Sequence, residues 1–341
     1  MGKFKQRTPK QRRVTYGLAM GLACATLAHN ALAAGDTEFF RGKTVTYIVA
    51  TAAGGGYDFH GRLLAEYMQR KLPGATFVVK NMPGAGHILG ANYIYASKPD
   101  GLTIGTFNTG LTYNQLTGLK TLKFDLTKFS WLGKGEEETR IFVASTQSGM
   151  KTYEDLKTAK LKISVSGVGT AAYVESRLIV EALKFNFEII PGYNSAEEHL
   201  AMRRGEIHGA ASGRTSYQEF VDQGHGRFIF QIGGRKSDLP QAADFVTDPA
   251  TLSVINLIGT TAEMARFSAG PPAIPAARLE ALRETYRQAL EDPEMREKSA
   301  KARRPIVPLY GDQVAEQIRK ALQQPADVVE RLAAIINATP Q

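Results

Sequence analysis

The 341-residue chain carries 42 Lys and Arg against 33 Asp and Glu, a formal charge of +9, with one cysteine. Six of those cations lie in the first 13 residues, so the rest of the chain is only +3; that excludes a long basic surface of the kind that tracks a nucleic-acid backbone. A single cysteine excludes a disulfide framework, and about 308 residues after the first 33 exceed one typical core, which implies two domains.

Lys3, Lys5, Arg7, Lys10, Arg12 and Arg13 precede an apolar stretch from Val14 to Leu27. Ala31-Leu32-Ala33 then places small residues where a signal peptidase reads them, so residues 1–33 are expected to be a cleaved export signal. The apolar part is shorter than a comfortable bilayer span, which disfavours a retained anchor. Arg12-Arg13 hints only weakly at a twin-arginine route, and lipidation at Cys24 ranks second to cleavage after Ala33. Cleavage there removes Cys24, the one cysteine, and no later run of 18 apolar residues exists.

Val45–Val49 reads as a buried strand, followed by Gly54-Gly55-Gly56 and a helix over about Phe59–Lys71 with Leu63, Leu64, Tyr67 and Met68 on one face. Phe77–Val79 is a second strand, Ile88–Ser97 a helix, and Leu102–Thr106 a third strand. Such alternation predicts a mostly parallel sheet. The pattern repeats: a strand at Ile141–Ala144, a short helix at Thr152–Thr158, a strand at Lys162–Ser166, the loop Gly167-Val168-Gly169, and a helix over about Ala171–Leu183. Phe187–Ile190, Ile207–Ala211 and Arg227–Ile232 read as strands, and Ala196–Arg204 as a helix. The last quarter reads as helical, over Ala276–Glu291, Gly311–Leu322 and Ala326–Asn337.

Each α/β unit thus has a glycine loop between a strand and a helix. Unpaired N–H groups and the positive end of the helix make such a loop an anion-binding element. Gly167-Val168-Gly169-Thr170-Ala171-Ala172 also fits a dinucleotide fingerprint, with Glu188 about twenty residues on, so an exported NAD-dependent oxidoreductase is an alternative. Export counts against that cofactor. His60, His87, His199, His208 and His225 form no close metal-binding pair, and neither a G-x-S-x-G elbow nor a cysteine nucleophile follows the signal. Glu136-Glu137-Glu138 reads as a solvated turn, and Arg203-Arg204 and Arg303-Arg304 as solvated helix ends.

Gly54-Gly55-Gly56-Tyr57-Asp58 with Gly61-Arg62, then Asn81-Met82-Pro83-Gly84-Ala85-Gly86, then Lys98-Pro99-Asp100-Gly101 form an ordered set. Ser166-Gly167-Val168-Gly169-Thr170, Pro191-Gly192-Tyr193, Arg204-Gly205-Glu206, Ala269-Gly270-Pro271-Pro272 and Asp292-Pro293 extend it through most of the chain. The set resembles the solute receptors of tripartite tricarboxylate transporters, the Bug or TctC family. The resemblance implies an α/β fold of the type II periplasmic-binding-protein kind, with a ligand cleft between residues 34–140 plus 258–341 and residues 141–257. It also implies a monomer in the periplasm, without enzymatic activity, cofactor or metal. This receptor would close like a clamshell on a small organic carboxylate and deliver it to the membrane permease subunits. A sensor for a membrane signalling partner is the other role open to such a receptor.

The resemblance maps ligand contacts onto Gly54, Gly55, Gly56, Tyr57 and Asp58 in one domain and Ser166, Gly167, Gly169, Thr170 and Tyr173 in the other. Backbone N–H groups and waters, rather than an arginine clamp, hold the carboxylate in that family. Asp58, being acidic, is expected to orient its loop. Asn108 and Thr109 at the end of the third strand are expected to line the cleft, as are Ser212 and Arg214, with Arg214 the cation for a second acid group. Ala53, Tyr57, His87, Leu102 and Tyr173 depart from the family pattern. Tyr57, His87 and Tyr173 would either shift the pocket toward an aromatic or larger acid or leave its ligand class unchanged. Intact-mass analysis of the exported protein is expected to place its N-terminus at Ala34; retention of residues 1–33, or a lipid on Cys24, would contradict this reading.

Overall fold

The computed structural model describes residues 1–2 and 36–337, apart from 169, 194, 235 and 236. Residues 3–33 of the expected signal, Cys24 and Gly169 therefore lie outside the described residues. Among those described, no helix is long and apolar enough to cross a membrane.

The first half alternates as expected. Strand β1 (Thr44–Val49) leads to helix α1 (Gly56–Lys71), β2 (Thr76–Asn81), α2 (Ile88–Ala96), β3 (Thr103–Thr106) and the short α3 (Leu111–Leu116). Helix α1 buries Leu63, Leu64, Tyr67 and Met68, the face read from its periodicity, but starts three residues earlier than expected. Two short strands follow, β4 (Ser130–Lys134) and β5 (Arg140–Ser145), then α4 (Tyr153–Thr158), β6 (Lys160–Val165), α5 (Ala171–Ala182), β7 (Asn186–Pro191) and α6 (Ser195–Arg204). Next come β8 (Gly209–Gly213), α7 (Arg214–Asp222), β9 (Gly226–Ile232), α8 (Pro249–Glu263) and β10 (Phe267–Gly270). The chain ends with α9 (Ala276–Glu291), α10 (Pro293–Lys301), β11 (Leu309–Tyr310), α11 (Gly311–Leu322) and α12 (Ala326–Asn337).

Two sheets result, in the orders β11-β4-β10-β3-β1-β2 and β7-β6-β8-β5-β9. Both are mixed, where a mostly parallel arrangement was expected. β10 runs antiparallel to β3 and β4, and β5 runs antiparallel to β8 and β9. Each of these strands is fed by a segment that has just crossed from the other half, so it enters its sheet against the local direction. The two crossing segments lie side by side: Gly135 N–H donates to Arg266 O, Glu136 N–H to Ala265 O, and Glu138 N–H to Ala262 O. Helix α12, at the end of the chain, lies against α5 and α8 beside the second sheet.

β1 and β3 are held close by a missing side chain. A Cβ on Gly105 would sit 2.3 Å from Ile48 O. Phe107, Trp131 and Phe267 fill the space beyond, with ring centroids 4.9 Å apart for Phe107–Phe267 and Trp131–Phe267. Gly105→Ala is expected to lower stability by about 1–3 kcal/mol in urea denaturation, because the clash is with backbone that cannot rotate away. An unchanged midpoint would contradict this strand contact.

Candidate ligand-binding cleft

The loop from β1 to α1 is shaped by its first helical turn. Gly54 takes a positive φ of 89°, and its N–H donates to Asp58 Oδ2 at 2.9 Å. Asp58 thus orients the loop. Arg62 Nε reaches the same oxygen at 3.0 Å, Asn81 Nδ2 donates to Asp58 Oδ1 at 2.8 Å, and Arg62 Nη2 donates to Asn81 Oδ1 at 2.7 Å. Burial alone would raise the Asp58 pKa; bonds from Arg62, Gly54 and Asn81 outweigh it and hold the carboxyl below its usual range. The glycine loop and the Asn81–Gly86 motif, separated in sequence, are therefore one network.

A buried charge cluster lies behind this loop. Glu136 is 3 % exposed, with His60 Nδ1 at 3.2 Å, Arg266 Nε at 3.5 Å and Arg304 Nη1 at 3.6 Å. The run Glu136–Glu138 is thus not a solvated turn: Glu138 is also buried, and it accepts from Thr215 Oγ1 at 2.8 Å and Thr215 N–H at 3.2 Å. Nor is Arg304 a solvated helix end. Its guanidinium packs on Gly56, where a Cβ would meet Cζ, Nη1 and Nη2 at 2.7 Å. Arg266 also lies over the Tyr57 ring at 4.0 Å, and His87 meets that ring edge-on at 5.2 Å. Burial, then Arg266, pushes the His87 imidazole down to about 3, so it is neutral.

The second loop is self-contained. Thr170 caps α5: its Oγ1 donates to Gly167 O at 2.7 Å and accepts from Tyr173 N–H at 3.3 Å, and Ser166 Oγ donates to it at 3.3 Å. Tyr173 is buried, its hydroxyl accepting from Arg177 Nη1 at 3.3 Å. Asn108 Oδ1 accepts from Gly110 N–H at 2.6 Å, and Thr109 is buried. Gly110 abuts Ala171: a Cβ there would lie 2.9 Å from Ala171 Cα. The turn after β3 therefore touches the start of α5, next to Thr170.

A cavity of about 480 Å³ remains where Gly54, Gly55 and Gly56 face the other sheet's helices. Arg203, Arg303 and Arg304 line it, with Thr215 and Ser216 from the first turn of α7. Among the described residues its lining includes none of Ser166, Gly167 or Thr170, so the two glycine loops are not brought together around this space. Arg214 lines a separate, smaller cavity; its Nε donates to Gln218 Oε1 at 3.2 Å and its guanidinium lies over Phe228. Ser212 pairs with Ile141 in the β5–β8 ladder. No group of three or more His, Cys, Asp or Glu able to hold a metal occurs among the described residues.

The profile of the tripartite tricarboxylate transporter family receptor, TctC, matches residues 61–339. The chain belongs to this receptor family. A UPF0065 protein from the ttuE–ttuC′ intergenic region of Agrobacterium vitis is 28 % identical over 310 residues, covering 88 % of this chain and 85 % of that one. The periplasmic binding protein BugD is similar in fold at 19 % identity, with a TM-score of 0.68 over 85 % of this receptor and 97 % of that chain. MatC of Rhodopseudomonas palustris, solved with bound malate, is 17 % identical with a TM-score of 0.65, over 86 % of this receptor and 99 % of that chain. The receptor is accordingly a non-enzymatic solute-binding protein with the periplasmic-binding-protein fold, and the dehydrogenase alternative at Gly167 gives way to that reading.

Sequence reasoning missed Glu136, Arg266, Arg304 and Arg203. The signal available was weak: charged runs at the ends of elements, with no indication of what each would face. Burial alone would raise the Glu136 pKa, but Arg266, His60 and Arg304 hold it down, from 4.5 to about 2. A lowered folded pKa means stability that is full above the ordinary carboxyl range and is lost as pH falls through the folded value. Acid unfolding of the wild type should therefore include a loss between about pH 4.5 and pH 2 that is missing in Glu136→Gln. Near neutrality that variant should be about 3–5 kcal/mol less stable, since it leaves buried guanidinium groups uncompensated. Parallel acid-unfolding curves would refute the cluster.

Proposed function

We propose that this receptor captures a small organic carboxylate between its two α/β domains and delivers it to the membrane subunits of a tripartite tricarboxylate-type transporter. The observation that carries this reading is the cavity on Gly54–Gly56, where the N-terminus of α1 and three arginines face a space suited to an anion. MatC with malate supports the same ligand class. We take residues 34–140 plus 258–341 as one domain and 141–257 as the other, with the paired crossing segments as the hinge. Export with cleavage near Ala33 places the receptor in the periplasm.

Gly54, Gly55 and Gly56 form the first wall, with Tyr57 and Asp58 supporting it from within. We take the turn at Asn108 and Thr109, with Ser166, Gly167 and Thr170, as a separate part of the interdomain cleft, outside the lining of this cavity. Arg214 lines the smaller neighbouring cavity, which shares Thr215 and Arg303 with this one. Bonds across the cleft favour the closed arrangement: Arg303 Nη1 meets Asp222 Oδ2 at 2.7 Å, and Tyr113 OH donates to buried Glu175 Oε1 at 3.2 Å. A ligand touching both domains adds to these bonds and shifts the open–closed equilibrium.

Thermal unfolding with malate, succinate, adipate, benzoate, amino acids and sugars tests the reading. An acid at 100 times its Kd should stabilise the receptor by about 2.7 kcal/mol. A response to sugars alone, with none to any acid, would overturn it.

A further inference from the structure

Arg304 occupies a place that electrostatics alone would not give a cation. It packs flat on Gly56, the first residue of α1, where the helix already presents roughly half a positive charge. A side chain at Gly56 would exclude it. Glu136 offsets this cost only in part, because Arg266 and His60 draw on the same carboxylate. Two guanidinium groups thus crowd one acid at 3.5 and 3.6 Å, and Arg304 Nη1 is left buried without a hydrogen-bond partner.

Glu138 accepts from neutral Thr215, keeps its charge and acts on Arg266, and Asp58 is held by Arg62, Gly54 and Asn81. Arg303 is paired with Asp222. Arg203 and Glu219, both exposed, face the same space. Among the described arginines that line the cavity, Arg304 is the one whose Nη1 is buried without a hydrogen-bond partner.

We propose that Arg304 is a specificity-determining anchor of the receptor, taking a ligand carboxylate on its planar fork while the N–H groups at the start of α1 flank it. The bond is direct and charge-assisted, in contrast to the backbone-and-water grip that the family resemblance implies for other members. Glu136 acts through Arg304 as a positioning residue. This inference rests on the carboxylate reading above and assigns the residue that enforces it.

The test uses calorimetric titration of the full receptor with whichever of malate, succinate, adipate or benzoate stabilises it most, and with the neutral amide of that acid. Wild type should bind the acid and reject the amide. Arg304→Gln should weaken acid binding at least tenfold and shrink the preference for acid over amide. Arg304→Lys, which keeps the charge without the fork, should fall between. If Arg304→Gln melts early, Gly56→Ala decides the matter, since its added methyl displaces the guanidinium while leaving the charge in place; it too should weaken binding. Unchanged acid affinity in Arg304→Gln, or in Gly56→Ala where the former does not fold, overturns this inference and leaves the receptor reading intact. Failure of wild type to bind any acid overturns both.

Discussion

One buried carboxylate ties the molecule together. Glu136 lies on the outgoing segment between the two sheets, Arg266 on the returning one, His60 on α1, and Arg304 just past α10. Burying such ions costs several kcal/mol each, and removing one partner exposes that cost in full. The cluster therefore constrains how the crossing segments, the first helix and the end of α10 sit relative to one another. Those elements include both crossing segments and part of the lining of the cavity at Gly54–Gly56.

A second network does the same for the glycine loop. A loop with three glycines has little to hold it, and Gly54 adopts a backbone conformation that L side chains rarely take. Asp58 supplies the restraint, and Arg62 and Asn81 restrain Asp58. Loop shape and motif spacing follow from a single carboxylate that itself faces inward. The polar residues of the motif support the loop from behind, and backbone and distant arginines face the cavity.

Much of the fold was legible because local signals were strong. β-branched runs before glycines gave β1 and β6, and periodic apolar faces gave α1, α9 and α11. β4 and β10 escaped because four or five fully buried residues show no alternation. Helix α8 was missed although its start is written in the chain: Asp248 accepts from Thr251 N–H at 2.9 Å, and Pro249 fills the first turn. The mixed sheets were not legible, since strand direction depends on where a crossing segment enters.

Local chemistry in the sequence determined that there would be two α/β units, glycine loops poised for anions, and the family those motifs mark. The tertiary structure alone decided which loops meet. It set Gly54–Gly56 against α6 and α7 and placed Gly110 on Ala171. It also buried two of three consecutive acids and turned Arg304 from a helix-end cation into part of the lining of a cavity. The physical reason is that a charge takes its role from its partners, and Glu136 finds all of its partners far along the chain.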